Sequence, residues 1–200
     1  KGNRVRPDSP VIGRNADGSR RTLFWCLQGE KEHAALARHL GPEVPVYAMR
    51  SGHRILERYH EMLPALARRY ASEIMEVDPI GPYLLGGNCQ GGLIAFQTAL
   101  ELWRRGRRVE LLLLLETMID EPYPGRVALI YGRESQEENP YNAGPAPDPI
   151  FERNYRSYSV DIIPGNHGEF FRPPIVEGFT AALRRRTMEA EERLADDLEG

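Results

Sequence analysis

Strands alternating with helices predict an α/β fold on a mostly parallel sheet with helices on both faces. Three stretches carry that expectation. Thr22-Leu23-Phe24-Trp25-Cys26 is an apolar run that leads into a helical segment, Tyr83-Leu84-Leu85 joins a helix through a glycine-rich turn, and Val109 to Leu115 has the length and apolar character of a strand buried on both faces. Two hundred residues suit one well-cored domain and crowd two.

The elements follow in order. Val11 to Cys26 reads as strand, turn and strand, with Asn15-Ala16-Asp17-Gly18 supplying the turn. Glu30 to Leu40 places Ala34, Ala37 and Leu40 at helical spacing and stops at Gly41-Pro42. Val44 to Met49 is a third strand. Ile55 to Val77 is a second helix, which Pro64 should kink or divide. Leu93 to Trp103 is helical and ends at Arg104-Arg105-Gly106, Val109 to Leu115 is a strand, and shorter strands are expected at Val127 to Tyr131 and Val160 to Ile163. Gly132 to Pro149 reads as irregular, and Pro174 onward as a helix with a charged end, Arg184 to Leu198. The core spans about residues 10–185. Lys1 to Ser9 and Glu189 to Gly200 are expected to fray or to border other modules.

Composition narrows the function. The 26 Lys and Arg against 29 Asp and Glu give a net charge of −3, which provides no basic field for nucleic acid. The longest apolar runs, Leu111 to Leu115 among them, are far below the roughly 20 residues of a membrane-spanning helix. Lys-Gly-Asn-Arg-Val-Arg opens no apolar signal region and lacks a Met, as in an excised or processed piece. Cys26 and Cys89 form no CxxC pair, so neither a disulfide framework nor structural zinc is expected, and a cytoplasmic setting is the default.

The chemistry concentrates at Gly87-Asn88-Cys89-Gln90-Gly91, a G-x-C-x-G pattern between strand and helix, the context of a nucleophile elbow. Glycines two before and two after the nucleophile leave room for a strained turn. A helix N-terminus favours the charged sulfur, and the Gln90 N–H faces the developing oxyanion. The rival reading is a glycine-rich phosphate turn with Cys89 as filler, but no Lys-Ser or Lys-Thr follows as in a Walker loop. Of the five histidines, His33, His39 and His60 lie in helical, charged surroundings that suit solvated side chains. His53 follows a strand in a surface loop, and His167, in Ile163-Pro164-Gly165-Asn166-His167, follows the last strand and is the candidate base. The candidate acid is Glu116, closing Leu111 to Leu115, with Asp120 and Glu134 as rivals.

With these residues in place the chain resembles the thioesterase domains of non-ribosomal peptide and polyketide synthases, members of the α/β-hydrolase fold. The resemblance covers Pro10 to about Leu183. Its most specific parts are Leu23-Phe24-Trp25-Cys26-Leu27-Gln28-Gly29, Gly81-Pro82-Tyr83-Leu84-Leu85-Gly86-Gly87, Gly91-Gly92-Leu93-Ile94-Ala95-Phe96 and Ile163-Pro164-Gly165-Asn166-His167. It implies Cys89 as nucleophile, His167 as base and Glu116 as acid, 27 residues downstream of Cys89. The loop after Cys26 would give a second oxyanion donor, the N–H of Gly29 or Gln28, and Gln28 and Asn88 would contact substrate.

Three departures accompany the resemblance. Cys89 replaces the usual serine, Glu116 replaces the usual aspartate, and only Thr117 to Gly125 stands where the family inserts a helical lid. Cysteine keeps an acyl group activated as a thioester, which suits transfer as well as hydrolysis. The implied activity is acyl or peptidyl release, by hydrolysis or cyclisation, from the phosphopantetheine arm of a carrier protein, with no metal and no directly bound cofactor. Acyl or aminoacyl transfer between carriers or to an amine is the alternative, and a non-catalytic carrier-docking module is a further one. Expected partners are an acyl or peptidyl carrier protein, adjacent synthase modules and a second copy of the chain. Arg104, Arg105, Arg107 and Arg108 are either an acidic carrier's dock or a solvated helix end.

Overall fold

β1 (Asn3–Arg4) and β2 (Ile12–Arg14) lead into β3 (Leu23–Leu27), α1 (Glu30–Leu40), β4 (Val46–Arg50) and α2 (Tyr59–Val77). β5 (Tyr83–Asn88), α3 (Gln90–Arg104), β6 (Val109–Leu115), β7 (Tyr123–Gly132), α4 (Asp148–Asn154), β8 (Tyr155–Ile163) and α5 (Ile175–Glu199) complete the chain. This computed structural model describes residues 2–51 and 59–199. The eight strands form one sheet in the order β1-β2-β4-β3-β5-β6-β7-β8, parallel from β4 through β8, with β1 and β2 added antiparallel at one edge.

Alternation of side chains sets the layers. Leu23, Trp25 and Leu27 of β3 share one core with Leu36 and Ala37 of α1 and Phe179 and Leu183 of α5, while Phe24 and Cys26 share the other with Ile74 of α2 and Ile94, Phe96 and Leu102 of α3. Every residue of β6 is buried, as expected for a central strand covered on both faces. Glu110 meets that burial by pairing with Arg108 and Arg126 at 2.8 Å.

Several expectations change. The Asn15 turn closes, with Gly18 N–H donating to Asn15 O at 2.9 Å, but the strands on either side of it do not pair. β2 lies on β4, because β3 is already bonded on both edges by β4 and β5. α2 runs through Pro64 unbroken in its described length, and the stretch 55–58 lies outside the described residues. α3 begins at Gln90, three residues earlier than its composition suggests. The stretch Gly132 to Pro149, expected to be irregular, ends in α4, whose Phe151 is fully buried. β7 and β8 are both longer than their apolar runs, because pairing from Tyr123↔Tyr155 to Gly132↔Ile163 recruits polar residues. The C-terminus does not fray at Glu189: α5 reaches Glu199 with Ala190 and Leu194 buried.

Between β6 and β7 the chain has only residues 116–122, and no helix. This strap buries Ile119 and leaves Met118 exposed. Tyr155 Oη donates to Ile119 O at 2.6 Å, and Asn154 and Arg153 both donate to Asp120 at 2.6 Å, so α4 and β8 hold it down.

Candidate active site

The turn from β5 to α3 places Cys89 at φ 51°, ψ −122°, a region that non-glycine residues rarely occupy. The spacing of its glycines has a direct cause. A Cβ on Gly87 would run into the backbone of Gly91, and one on Gly91 into the carbonyl of Cys26. The turn is pinned to the end of β6, where Cys89 N–H donates to Leu115 O at 3.0 Å and the Thr117 hydroxyl lies 3.1 Å from Cys89 O and 3.0 Å from Leu115 O.

Glu116 follows β6 at φ 48°, again in the left-handed region. Its Oε2 lies 2.6 Å from His167 Nδ1, and its Oε1 accepts the Gly132 N–H at 3.2 Å and the Ser135 hydroxyl. Among the rivals, Asp120 is turned to Asn154 and Arg153, whose hydrogen bonds hold its carboxyl below the usual range. Glu134 accepts the Gly165 N–H and so anchors the loop that carries His167. Within that loop Asn166 Oδ1 accepts the His167 N–H at 2.8 Å. Glu138, from the loop after β7, reaches 3.6 Å from the same Nδ1.

Cys89, Glu116 and His167 line one cavity of about 80 Å³ at the carboxyl ends of the strands, walled by Gln28, Glu32, Asn88, Phe170 and Phe171. A larger cleft of about 400 Å³ opens among Trp103, Arg108, Glu110, Arg126 and Arg156, at the opposite end of β6. It holds no nucleophile. Glu116, Glu138 and His167 also form the one group of potential metal ligands found among the described residues, each offering an atom within 4.8 Å of the others.

Some expectations at the site need correction. His33 is buried, not solvated: its Nε2 lies 3.0 Å from Val46 O, and burial pushes its pKa down. His39 is half-buried, its Nδ1 2.8 Å from Ala35 O, and the side chains of His53 and His60 lie outside the described residues. The Gln28 N–H is taken by Glu32 Oε2 at 3.0 Å, so of the two N–H groups expected in that loop Gln28's is already committed. Asn88 lines the cavity, but its Oδ1 accepts from Trp25 Nε1 at 3.2 Å, which ties the side chain to the core. Arg105 bonds Glu101 and Ser72, as a helix end does, and the arginine cluster stands where β6 begins, whereas Cys89 stands where it ends. Thr117, Ser135 and Glu138 carry no motif, and only their approach in space brings them to the site.

A model of the thioesterase domain matches residues 25–197. The chain belongs to the thioesterase domain family. Chondramide synthase cmdD of Chondromyces crocatus is 40% identical over 127 residues, 60% of this chain and 3% of that protein. This thioesterase domain thus spans a small part of the synthases it matches. Among solved structures, the NocB thioesterase domain in covalent complex with a fluorophosphonate nocardicin G analogue aligns with a TM-score of 0.71 at 20% identity, covering 88% of this chain and 98% of that one. SrfTE, the thioesterase domain that cyclises surfactin, aligns at a TM-score of 0.70 and 15% identity, covering 89% and 95%. The thioesterase domain therefore has the fold that the resemblance implied, and none of its described helices is long and apolar enough to cross a membrane.

Proposed function

We propose that the domain takes an acyl or peptidyl group from a carrier protein's phosphopantetheine thioester onto Cys89 and releases it by hydrolysis or cyclisation. The 2.6 Å contact of His167 Nδ1 with Glu116, in a cavity shared with Cys89, carries this reading. Glu116 holds the proton on Nδ1 and leaves Nε2 to exchange protons at the cavity. The Cys89 sulfur gives its proton to His167 and attacks the thioester carbon. The oxyanion that forms is met by the N–H groups of Gln90, at the head of α3, and Gly29. Collapse breaks the bond to the pantetheine sulfur, which leaves with the proton from His167. In the second half His167 takes a proton from water or from a nucleophile on the chain itself, that oxygen or nitrogen attacks the acyl carbon, and the Cys89 sulfur departs and regains its proton.

Transfer to an amine or to a second carrier uses the same acyl-Cys89 and differs only in the acceptor. The short strap at 116–122 puts no helix over the cavity, which favours acceptors that arrive from outside. A domain that only docks carriers would need none of these groups.

Intact-protein mass after mixing with an acyl-pantetheine thioester tests the proposal. An adduct on Cys89 that is absent in Cys89→Ala is expected. Its decay in water alone, or only with an added amine or thiol, separates hydrolase from transferase. No adduct across a panel of acyl chains would overturn the catalytic reading in favour of docking.

A further inference from the structure

We infer that Glu138 is a second carboxylate partner of His167, a positioning residue able to hold the imidazole when Glu116 does not; this rests on the proposed role of His167 as base. Two carboxylates reach one nitrogen from different elements. Glu116 comes from the end of β6 at 2.6 Å from Nδ1, and Glu138 from the loop after β7 at 3.6 Å.

The two differ in freedom. Glu116 is 2% exposed at its side chain, and its other oxygen is held by Gly132 and Ser135, so it cannot follow a ring that moves. His167 is 37% exposed and sits on a loop, so its ring has room to shift as substrate enters. Glu138 is 31% exposed and makes no other ion pair or side-chain hydrogen bond among the described residues, so nothing ties it elsewhere. A change of about 1 Å brings it within hydrogen-bond distance. Glu134, the other acid nearby, is spent on the Gly165 N–H. Glu138 therefore stabilises the imidazolium alongside Glu116 and takes over its bond when the ring swings outward.

Alkylation of Cys89 by iodoacetamide between pH 6 and 9 in the full chain tests this without any choice of acyl substrate. Cys26 is fully buried and its thiol is pushed up by burial, so the reaction reports Cys89, with mass mapping as the check. Glu138→Gln alone should slow the neutral-pH rate by no more than about twofold. Glu116→Ala should slow it by about tenfold and keep a pH profile distinct from that of a free thiol. Adding Glu138→Gln to Glu116→Ala should slow it by a further factor of about five or more and bring the profile to that of glutathione, the coupling expected of residues that share a partner. If Glu116→Ala does not fold, Glu116→Gln gives the same comparison. Equal effects of Glu138→Gln in both backgrounds would overturn the inference. A wild-type Cys89 no faster than glutathione would bring down the proposed catalytic role itself.

Discussion

Cys89 and Glu116 both hold positive φ, a conformation that costs a non-glycine residue about 1–3 kcal/mol and survives only where the surroundings impose it. The surroundings here are mostly backbone, the strand end at Leu115 and the carbonyl of Cys26, joined by one side chain, the Thr117 hydroxyl. His33 shows the opposite relation of residue to role. It has the chemistry of a base but is walled in against Val46, and burial disfavours its charged form. Because its folded pKa is lowered, the unfolded chain binds the proton more readily. The stability it contributes is whole above the ordinary imidazole value of about 6.5 and is lost as the pH falls below that toward the lowered folded value. Thermal unfolding at pH 7.5 and pH 5 should show this loss in the native protein, and His33→Leu should shrink it. An undiminished loss in the variant would assign the effect to other groups.

The strap is an element with no regular secondary structure, yet it joins two parallel strands that ordinarily need a crossover of a dozen residues or more. It manages in seven and borrows its cover from α4 and β8. Ile119 is its anchor, 4% exposed, whereas Met118 is 40% exposed. Ile119→Ala should cost about 2–5 kcal/mol in urea unfolding, and Met118→Ala less than about 0.5 kcal/mol. Equal costs would mean that the strap is not held through its apolar side. α5 makes a related point: its charged end looks solvated by composition, yet Arg186 grips Asp161 of β8 at 2.7 Å and Ala190 joins the core. Truncation after Leu183 would thus remove buried structure along with any assembly surface.

Across the whole molecule, the candidate active site and the basic cluster stand at opposite ends of the sheet. Six residue steps along β6 separate Val109 from Leu115, about 20 Å at the rise of a strand, and the core between is filled. A carrier docked on Arg104 and Arg107 would have to pass its thioester around that core, so the double charge reversal Arg104→Glu/Arg107→Glu should change KM for a carrier-bound substrate by less than about twofold; a tenfold rise would restore the cluster as the dock. The alternation of strands and helices and the elbow glycines were legible in the chain, because each is set by local spacing or by backbone crowding within a few residues, whereas the pairing of His167 with Glu116, 51 residues apart, was one of three candidates and rested on strand-end position and on the family resemblance. The partner of β2, the polar halves of β7 and β8, the burial of His33 and the convergence of Thr117, Ser135 and Glu138 on the site were not legible. Those depend on which surfaces meet across the sheet, and side-chain pattern within a segment carries no information about the segment that will face it. The sequence by itself determined most of the elements and the candidate reactive residues; only packing decided which of those groups meet and which are spent on holding the fold together.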